Sequence, residues 1–374
     1  YNVTITATDS SGATSTQTFV WTVSNPGPTA TNDTYTGGEN ETFTGNVING
    51  LGTDTDPDGD TLSVVEVDGN GAGVGNPVSG TNGGTFTILV DGTLDFDPGD
   101  DFDDLASGKT RTTKVAYTIS DGQSSDSATV TVIVTGTNDT PTADGTIPDQ
   151  VNADSTRIAT LNVSGFFDDM DAGDDLTFSS TTLPPGLTIG ASSGKIRGTL
   201  TSDASAGGPY TVAIIATDEL GDSVTQSFTW TVTNPGPTAN ADEFDTTENG
   251  SLSGNVVSAN NGNGKDSDVD GDDLTVSLVN GQASDVGTPV TGSAGGQFTV
   301  ESVGSFAFAP GTDFDSLATG LTATTQIFYT ISDGLAKSTT SITVTVSGTN
   351  DTPTAVGSIP DQTGIDGGTI APLT

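Results

Sequence analysis

The sequence predicts an all-β chain, a series of tandem Greek-key β-sandwiches in an extended array. Three observations carry this reading. Much of the chain repeats at a spacing of 209–212 residues. Apolar residues alternate with Thr and Ser at a period of two, the mark of half-buried strands. The acids are 42 Asp against 7 Glu, which favours turns over helices.

The repeat comes first because it sets the units. The stretch SNPGPTA with Asn25 returns as TNPGPTA with Asn234, 209 residues on. GTNDTPTA with Asn138 returns with Asn350, and IPDQ at Ile147 returns at Ile359, both 212 residues on. The three extra residues fall within Asn260 to Gly264, and an insertion tolerated there predicts a surface loop. Pro-bearing linkers divide each period into two units. A long unit spans 29–141 and again 238–353, and a short unit spans 142–237. Residues 1–28 match the end of a short unit, and residues 354–374 match its beginning. Each complete unit is near the size of one two-sheet sandwich.

Within the units, Phe19, Trp21 and Val23 alternate on one face, as do Phe228, Trp230 and Val232. Such a face predicts core packing for both tryptophans rather than sugar platforms. Val115 to Ile119 enters the turn Ser120-Asp121-Gly122 and leaves through Val130, Val132 and Val134, a hairpin repeated around Asp333. The run Leu62 to Val67 predicts an alternating strand. Only DFDDLASG and DFDSLATG suggest a single helical turn, N-capped by Asp.

Composition excludes several functions. The 374 residues hold no Cys, no His, and 8 Lys plus Arg against 49 acids, for a net charge of −41. No Ser-His or Cys-His nucleophile system can form, nor a His-ligated zinc or haem site, a disulfide or an Fe–S cluster. A pI near 4.1 argues against nucleic acid and against an anionic membrane surface. No apolar run approaches membrane-spanning length, so no membrane insertion is expected in this window. The chain opens on Tyr1 and its only Met is Met170, which predicts a segment of something longer.

The chemistry sits in Asp54-Thr55-Asp56-Pro57-Asp58-Gly59-Asp60 and its second copy, Asp266, Asp268, Asp270 and Asp272 around Gly271. Alternate carboxylates on a tight loop converge on one hard cation, and Gly at the sixth place allows the sharp turn. Without a cation these charges repel, so the spacing implies calcium. No Glu stands at the twelfth position and a strand follows, so the loop is not an EF-hand. The remaining ligands must come from elsewhere. Candidates that recur in both long units are Asp33 with Asp242, Glu39 with Glu248, and the hairpin acids Asp121 with Asp333. The short unit offers Asp169, Asp171 and the turn acid Asp218. Asp68, Asp126 and Asp203 read as solvated turn acids.

These residues carry a resemblance. Asn32-Asp33, Glu39, Gly45-Asn46-Val47, the Asp54–Leu62 loop, Tyr117–Gly122 and Asn138–Ala143 together resemble the VCBS and bacterial cadherin-like repeats of large secreted adhesins. GTNDTPTA is similar to the calcium-binding linker of cadherins. The short unit, with IPDQ, FFDDMDAGDDLTFS and LPPGLTIGASSGKIRGT, resembles the dystroglycan-type cadherin-like, or immunoglobulin-like, domain. The resemblance implies immunoglobulin/cadherin-like sandwiches, calcium, and an extracellular or cell-surface place. It implies a non-enzymatic stalk, adhesin or filament block. The expected partners are neighbouring repeats, other copies in a filament, and surface polysaccharide. The alternative is a polysaccharide-binding accessory module. Acids in repeated loops, rather than in one cleft, argue against glycoside hydrolysis.

Overall fold

The computed structural model describes residues 1–359. The expectation that 354–374 begin a further sandwich falls largely outside the described residues. The first long unit is a sandwich of two four-stranded sheets. One sheet orders Asp33–Gly38, Ser125–Thr135, Thr110–Ser120 and Ser63–Val67. The other orders Phe43–Asn46, Thr93–Asp97, Thr85–Ile88 and Val78–Ser79. Val115, Tyr117, Ile119, Val130, Val132 and Val134 pack against Phe86, Ile88, Leu94 and Phe96 in one buried cluster. The second long unit repeats both sheets. The short unit pairs a four-stranded sheet with a three-stranded one, around Trp230, Ile214 and Ile196.

One feature of register places the functional residues. In each complete unit an early strand, the first in the long units and the second in the short one, runs parallel to the last: Asp33 to Gly38 beside Val130 to Thr135, Gln150 to Ala153 beside Trp230 to Thr233, and Asp242 to Thr247 beside Ile342 to Ser347. The chain therefore comes in at one pole of the sandwich and leaves at the other. The final strand of the first long unit has 11 residues, so the poles lie roughly 35 Å apart.

Four sequence expectations change. Phe19, Trp21 and Val23 are exposed, because the hairpin Asn2–Thr8 with Thr14–Val20 has no second sheet to cover it among the described residues. DFDDLASG forms turns rather than a helical turn: Leu105 N–H reaches Phe102 O, and Phe102 and Leu105 are buried without a continuing ladder. A lone turn bears the whole cost of helix nucleation. The strand Ser63–Val67 carries a bulge between Val64 and Glu66, so Val64 and Val67 are both buried and simple alternation fails. The loop Asn260–Gly264 is more than a surface insertion. The Asn261 amide donates to Asp242 Oδ1 at 2.8 Å and to Asn255 O at 2.9 Å.

Candidate metal centres at the joints

Three loops of different sequence fold the same way. Asp56 Oδ1 accepts the N–H of Asp58 at 3.1 Å and of Asp60 at 3.3 Å. Asp268 Oδ1 accepts Asp270 N–H, and Asp169 Oδ1 accepts Asp171 N–H, each at 3.0 Å. Gly59 at φ +82°, Gly271 at +89° and Gly173 at +95° make the turn that a side chain would strain. Each leading Asp is thus tied by one oxygen to its own loop and keeps the other free. Asp56, Asp58 and Asp60 bring ligand oxygens within 4.8 Å of one another, and so do Asp169, Asp171 and Asp174.

The crowding shows in the acidities. Burial, then the neighbouring Asp268 and Asp272, push Asp270 up to about 7. Burial followed by Asp171 raises both Asp169 and Asp174, although a backbone hydrogen bond opposes the shift at Asp169. Like charges on one loop resist joint ionisation unless a cation compensates them.

These loops stand at the pole where the chain comes in, and there the linker asparagine bonds the hairpin acid. Asn25 donates to Asp121 Oδ2 at 2.7 Å, Asn138 to Asp218 Oδ2 at 3.0 Å, and Asn234 to Asp333 Oδ2 at 2.9 Å. The other oxygen of each hairpin acid caps its own turn. The N–H groups of Ser124 and Gln123 hold Asp121 down at about 2.

The opposite pole contributes one acid per unit. Glu39, Asp154 and Glu248 each directly follow the strand that runs parallel to the last one, and each donates its N–H to a carbonyl of the last strand. Glu39 Oε1 accepts the N–H and hydroxyl of Thr137, both at 2.6 Å, and Glu248 Oε1 accepts those of Thr349. Asp154 Oδ1 accepts Ser205 N–H at 2.8 Å. The second oxygen of all three is buried without a partner.

Adjoining units meet through these groups. Asp139 N–H donates to Asp171 Oδ2 at 2.9 Å, Ala172 N–H to Asp104 O at 3.0 Å, and Ser155 Oγ to Asp270 O at 2.6 Å. Glu39, Asn138, Asp169 and Asp171 carry partnerless buried oxygens at the first of these joints. Asp154, Ser205, Asn234, Asp268 and Asp270 carry them at the second. The remaining two belong to Asp56 and Glu248, on poles of the same kind. Every partnerless buried side-chain atom among the described residues therefore lies at one of these joints or on a pole of the same kind.

A buried oxygen with no donor costs on the order of 1–3 kcal/mol, and more when it is charged. The chain's own cations do not relieve it, for the one ion pair among the described residues joins Arg111 to Asp104. Carboxylates with amide and hydroxyl oxygens form an all-oxygen donor set, which suits a hard divalent cation with six to eight ligands. The residues present fit calcium.

The sequence profile of the bacterial cadherin-like domain matches residues 25–136 and 234–348, more than half of the chain. The chain belongs to the bacterial cadherin-like family. The profile named Putative Ig domain matches the unit between, residues 140–233. No curated protein matches the chain. Among solved structures it is similar to mouse Cadherin-23 EC22-24, at 15% identity over 87% of this chain and 99% of that one, TM-score 0.43. It is similar to the human Desmocollin-1 ectodomain at 12% identity over 92% and 67%, TM-score 0.37. It is also similar to an endo-fucoidan hydrolase of glycoside hydrolase family 107, at 16% identity over 87% and 45%, TM-score 0.27.

Within the two bacterial cadherin-like domains the structure divides the sequence candidates. Asp56, Asp58 and Asp60 come together, and Asp268, Asp270 and Asp272 occupy the matching loop. Glu39 and Glu248 stand at the outgoing pole, and Asp121 and Asp333 at the incoming one. Asp33, Asp54, Asp242 and Asp266 do not join these groups; they are buried around Tyr117 and Tyr329. In the Ig domain Asp169 and Asp171 come together; the linker holds Asp218 through the Asn138 amide and Asp171 through the N–H of Asp139. The sequence reading held Asp174 only within the acidic run of the short unit, and Asn138 and Asp139 only within the cadherin-like linker GTNDTPTA; it missed Asp154 and any ligand role for Asn138 and Asn234. The recurring Asn of the repeated linkers was the signal for the last two.

Proposed function

We propose that this segment is a non-enzymatic, extracellular spacer or adhesive stalk in which calcium, bound between consecutive domains, locks each joint. The observation that supports this most directly is the gathering of all partnerless buried oxygens at the joints and on poles of the same kind. Glu39 or Asp154 from one domain, the linker Asn, and the paired Asp residues of the next would hold the ion. Its charge would offset the carboxylates, and its coordination would fix one domain against its neighbour. The parallel early and last strands support an end-to-end arrangement, because they put the two linkers of a domain at opposite poles. Trp230 is buried, and no exposed aromatic side chain stands between 142 and 237 among the described residues. The polysaccharide-binding alternative therefore has no structural support there.

The test is a thermal melt with small-angle scattering in chelator and in millimolar calcium. Calcium should raise the melting temperature and lengthen the scattering particle. The double change Asp56→Asn with Asp58→Asn should remove the calcium response of the joint before the first bacterial cadherin-like domain and leave those of the Glu39 and Asp154 joints. Identical melts and profiles in both solutions would overturn the proposal.

A further inference from the structure

The joints are of two kinds, and they alternate. Asn138-Asp139-Thr140-Pro141 leaves the first bacterial cadherin-like domain, and Asn350-Asp351-Thr352-Pro353 leaves the second. Asn25-Pro26-Gly27-Pro28 leads into the first, and Asn234-Pro235-Gly236-Pro237 into the second. Where the outgoing linker has an Asp, the incoming linker has a Pro.

That exchange changes the chemistry at the centre of the joint. The Asp139 carboxyl adds a fourth acid beside Asp171, Glu39 and Asp169 at this joint. Its N–H also fixes Asp171 Oδ2. Pro235 supplies neither a carboxylate nor an N–H. The acid from the preceding domain also differs. Glu39 reaches the outgoing joint on a longer side chain, braced by two donors from Thr137. Asp154, one methylene shorter, is braced by the single N–H of Ser205. Both acids are more than nine-tenths buried with one free oxygen, so both joints are built to receive a cation. They differ in charge and in bracing, the two properties that tune calcium affinity on a fixed oxygen ligand set.

We propose, resting on the calcium reading above, that the Asn-Asp-Thr-Pro joints bind calcium more tightly than the Asn-Pro-Gly-Pro joints. Over a window of calcium concentration every second joint is then locked while its neighbours still bend. The array stiffens in two steps, and rigid two-domain pieces form first, each a bacterial cadherin-like domain with the Ig domain that follows it.

The test is hydrogen exchange on the full chain across a titration with calcium ions alone. The amides of Asn138–Thr140 should gain protection at a calcium concentration about tenfold below that needed by Asn234 and Gly236, the scale of one extra carboxylate a few ångströms from a divalent ion. Asp139→Asn keeps the side chain's shape and removes its charge. It should raise the first midpoint about tenfold and leave the second in place, while Pro235→Asp should lower the second. Equal midpoints, or a tighter Asn234 joint, would overturn the two-step proposal and leave calcium binding intact. Calcium-independent exchange at both joints would overturn the calcium reading itself.

Discussion

Asp33 and Asp54 share one proton donor. The Tyr117 hydroxyl stands 3.1 Å from Asp33 Oδ2 and 3.3 Å from Asp54 Oδ2, with the carbonyls of Thr31 and Val47 also within 3.0 Å. Asp242 and Asp266 share Tyr329 in the same way, at 2.8 and 3.0 Å. Gly52, Thr31, Asn261 and Asn240 each give one of these acids a further donor, yet burial outweighs all these bonds and raises the four acids, Asp54 and Asp242 to about 6. The same burial and the two carboxylates push each phenol up, so the tyrosine remains the donor.

Tyr117→Phe keeps the ring in the core and removes the donor. It should destabilise the first bacterial cadherin-like domain by on the order of 2–3 kcal/mol, the range for hydrogen bonds to charged groups. The domains of a multi-domain chain unfold in separate transitions, so urea denaturation should shift one transition and leave the others. An unchanged denaturation curve would show that the hydroxyl bears no stabilising load.

The raised acids set a pH dependence whose sign follows from linkage. An unfolded Asp titrates near 3.9, and folded Asp54 and Asp242 near 6. Their contribution is complete below about 4 and is lost as pH rises through about 6. Asp121, held at about 2, acts oppositely, but only below about pH 4. In calcium-free buffer the long domains should therefore be more stable at pH 5 than at pH 7. Asp54→Asn should flatten that slope for the first domain. A wild-type slope in the variant would assign the effect to general charge repulsion instead.

The alternating strands, the repeat and the Asp-rich loops are local patterns, and they were legible because strand periodicity and turn chemistry are written within a few residues. The joints were only half legible. Asp56 and Asp268 announce themselves by spacing, whereas Asp154 is brought to the joint, beside the Ser155 that bonds Asp270 O, by the parallel pairing of Ala153 with Thr233, 80 residues away. Asp33 and Asp54 illustrate the converse. Recurrence suggested Asp33 as a metal ligand and loop spacing suggested Asp54, and the buried tyrosine that holds them lies over 60 residues on. Periodicity also cannot report whether an opposing sheet is present: Trp21 and Trp230 occupy equivalent positions of the repeat, yet they are 59% and 1% exposed.

The two tryptophans give a direct optical test. Trp230 packs in the Ig-domain core and donates from its indole to Asn152 Oδ1 at 3.1 Å, so its emission should be blue-shifted and shielded from acrylamide. Trp21 should emit at longer wavelength and be quenched freely. Trp230→Ala should cost about 3–5 kcal/mol, seen as a lower unfolding midpoint for the Ig domain, while Trp21→Ala should leave that midpoint in place. Equal quenching of the two single-tryptophan variants would contradict the packing.

Glu39→Gln separates a cation ligand from a structural hydrogen-bond acceptor. The amide oxygen of Gln can still accept from Thr137, so the local turn is kept. The change removes a negative charge from a site where its second oxygen is buried without a donor. In calcium-free buffer that loss relieves an uncompensated carboxylate, and stability should stay level or rise. In calcium at ten to a hundred times the dissociation constant, the wild-type joint gains roughly 1.4–2.7 kcal/mol by mass action, and the variant should forfeit most of it. The two proteins should therefore exchange rank between chelator and calcium. A purely structural Glu39 would leave the variant weaker in both solutions by the same amount, and that result would remove this side chain from the calcium site.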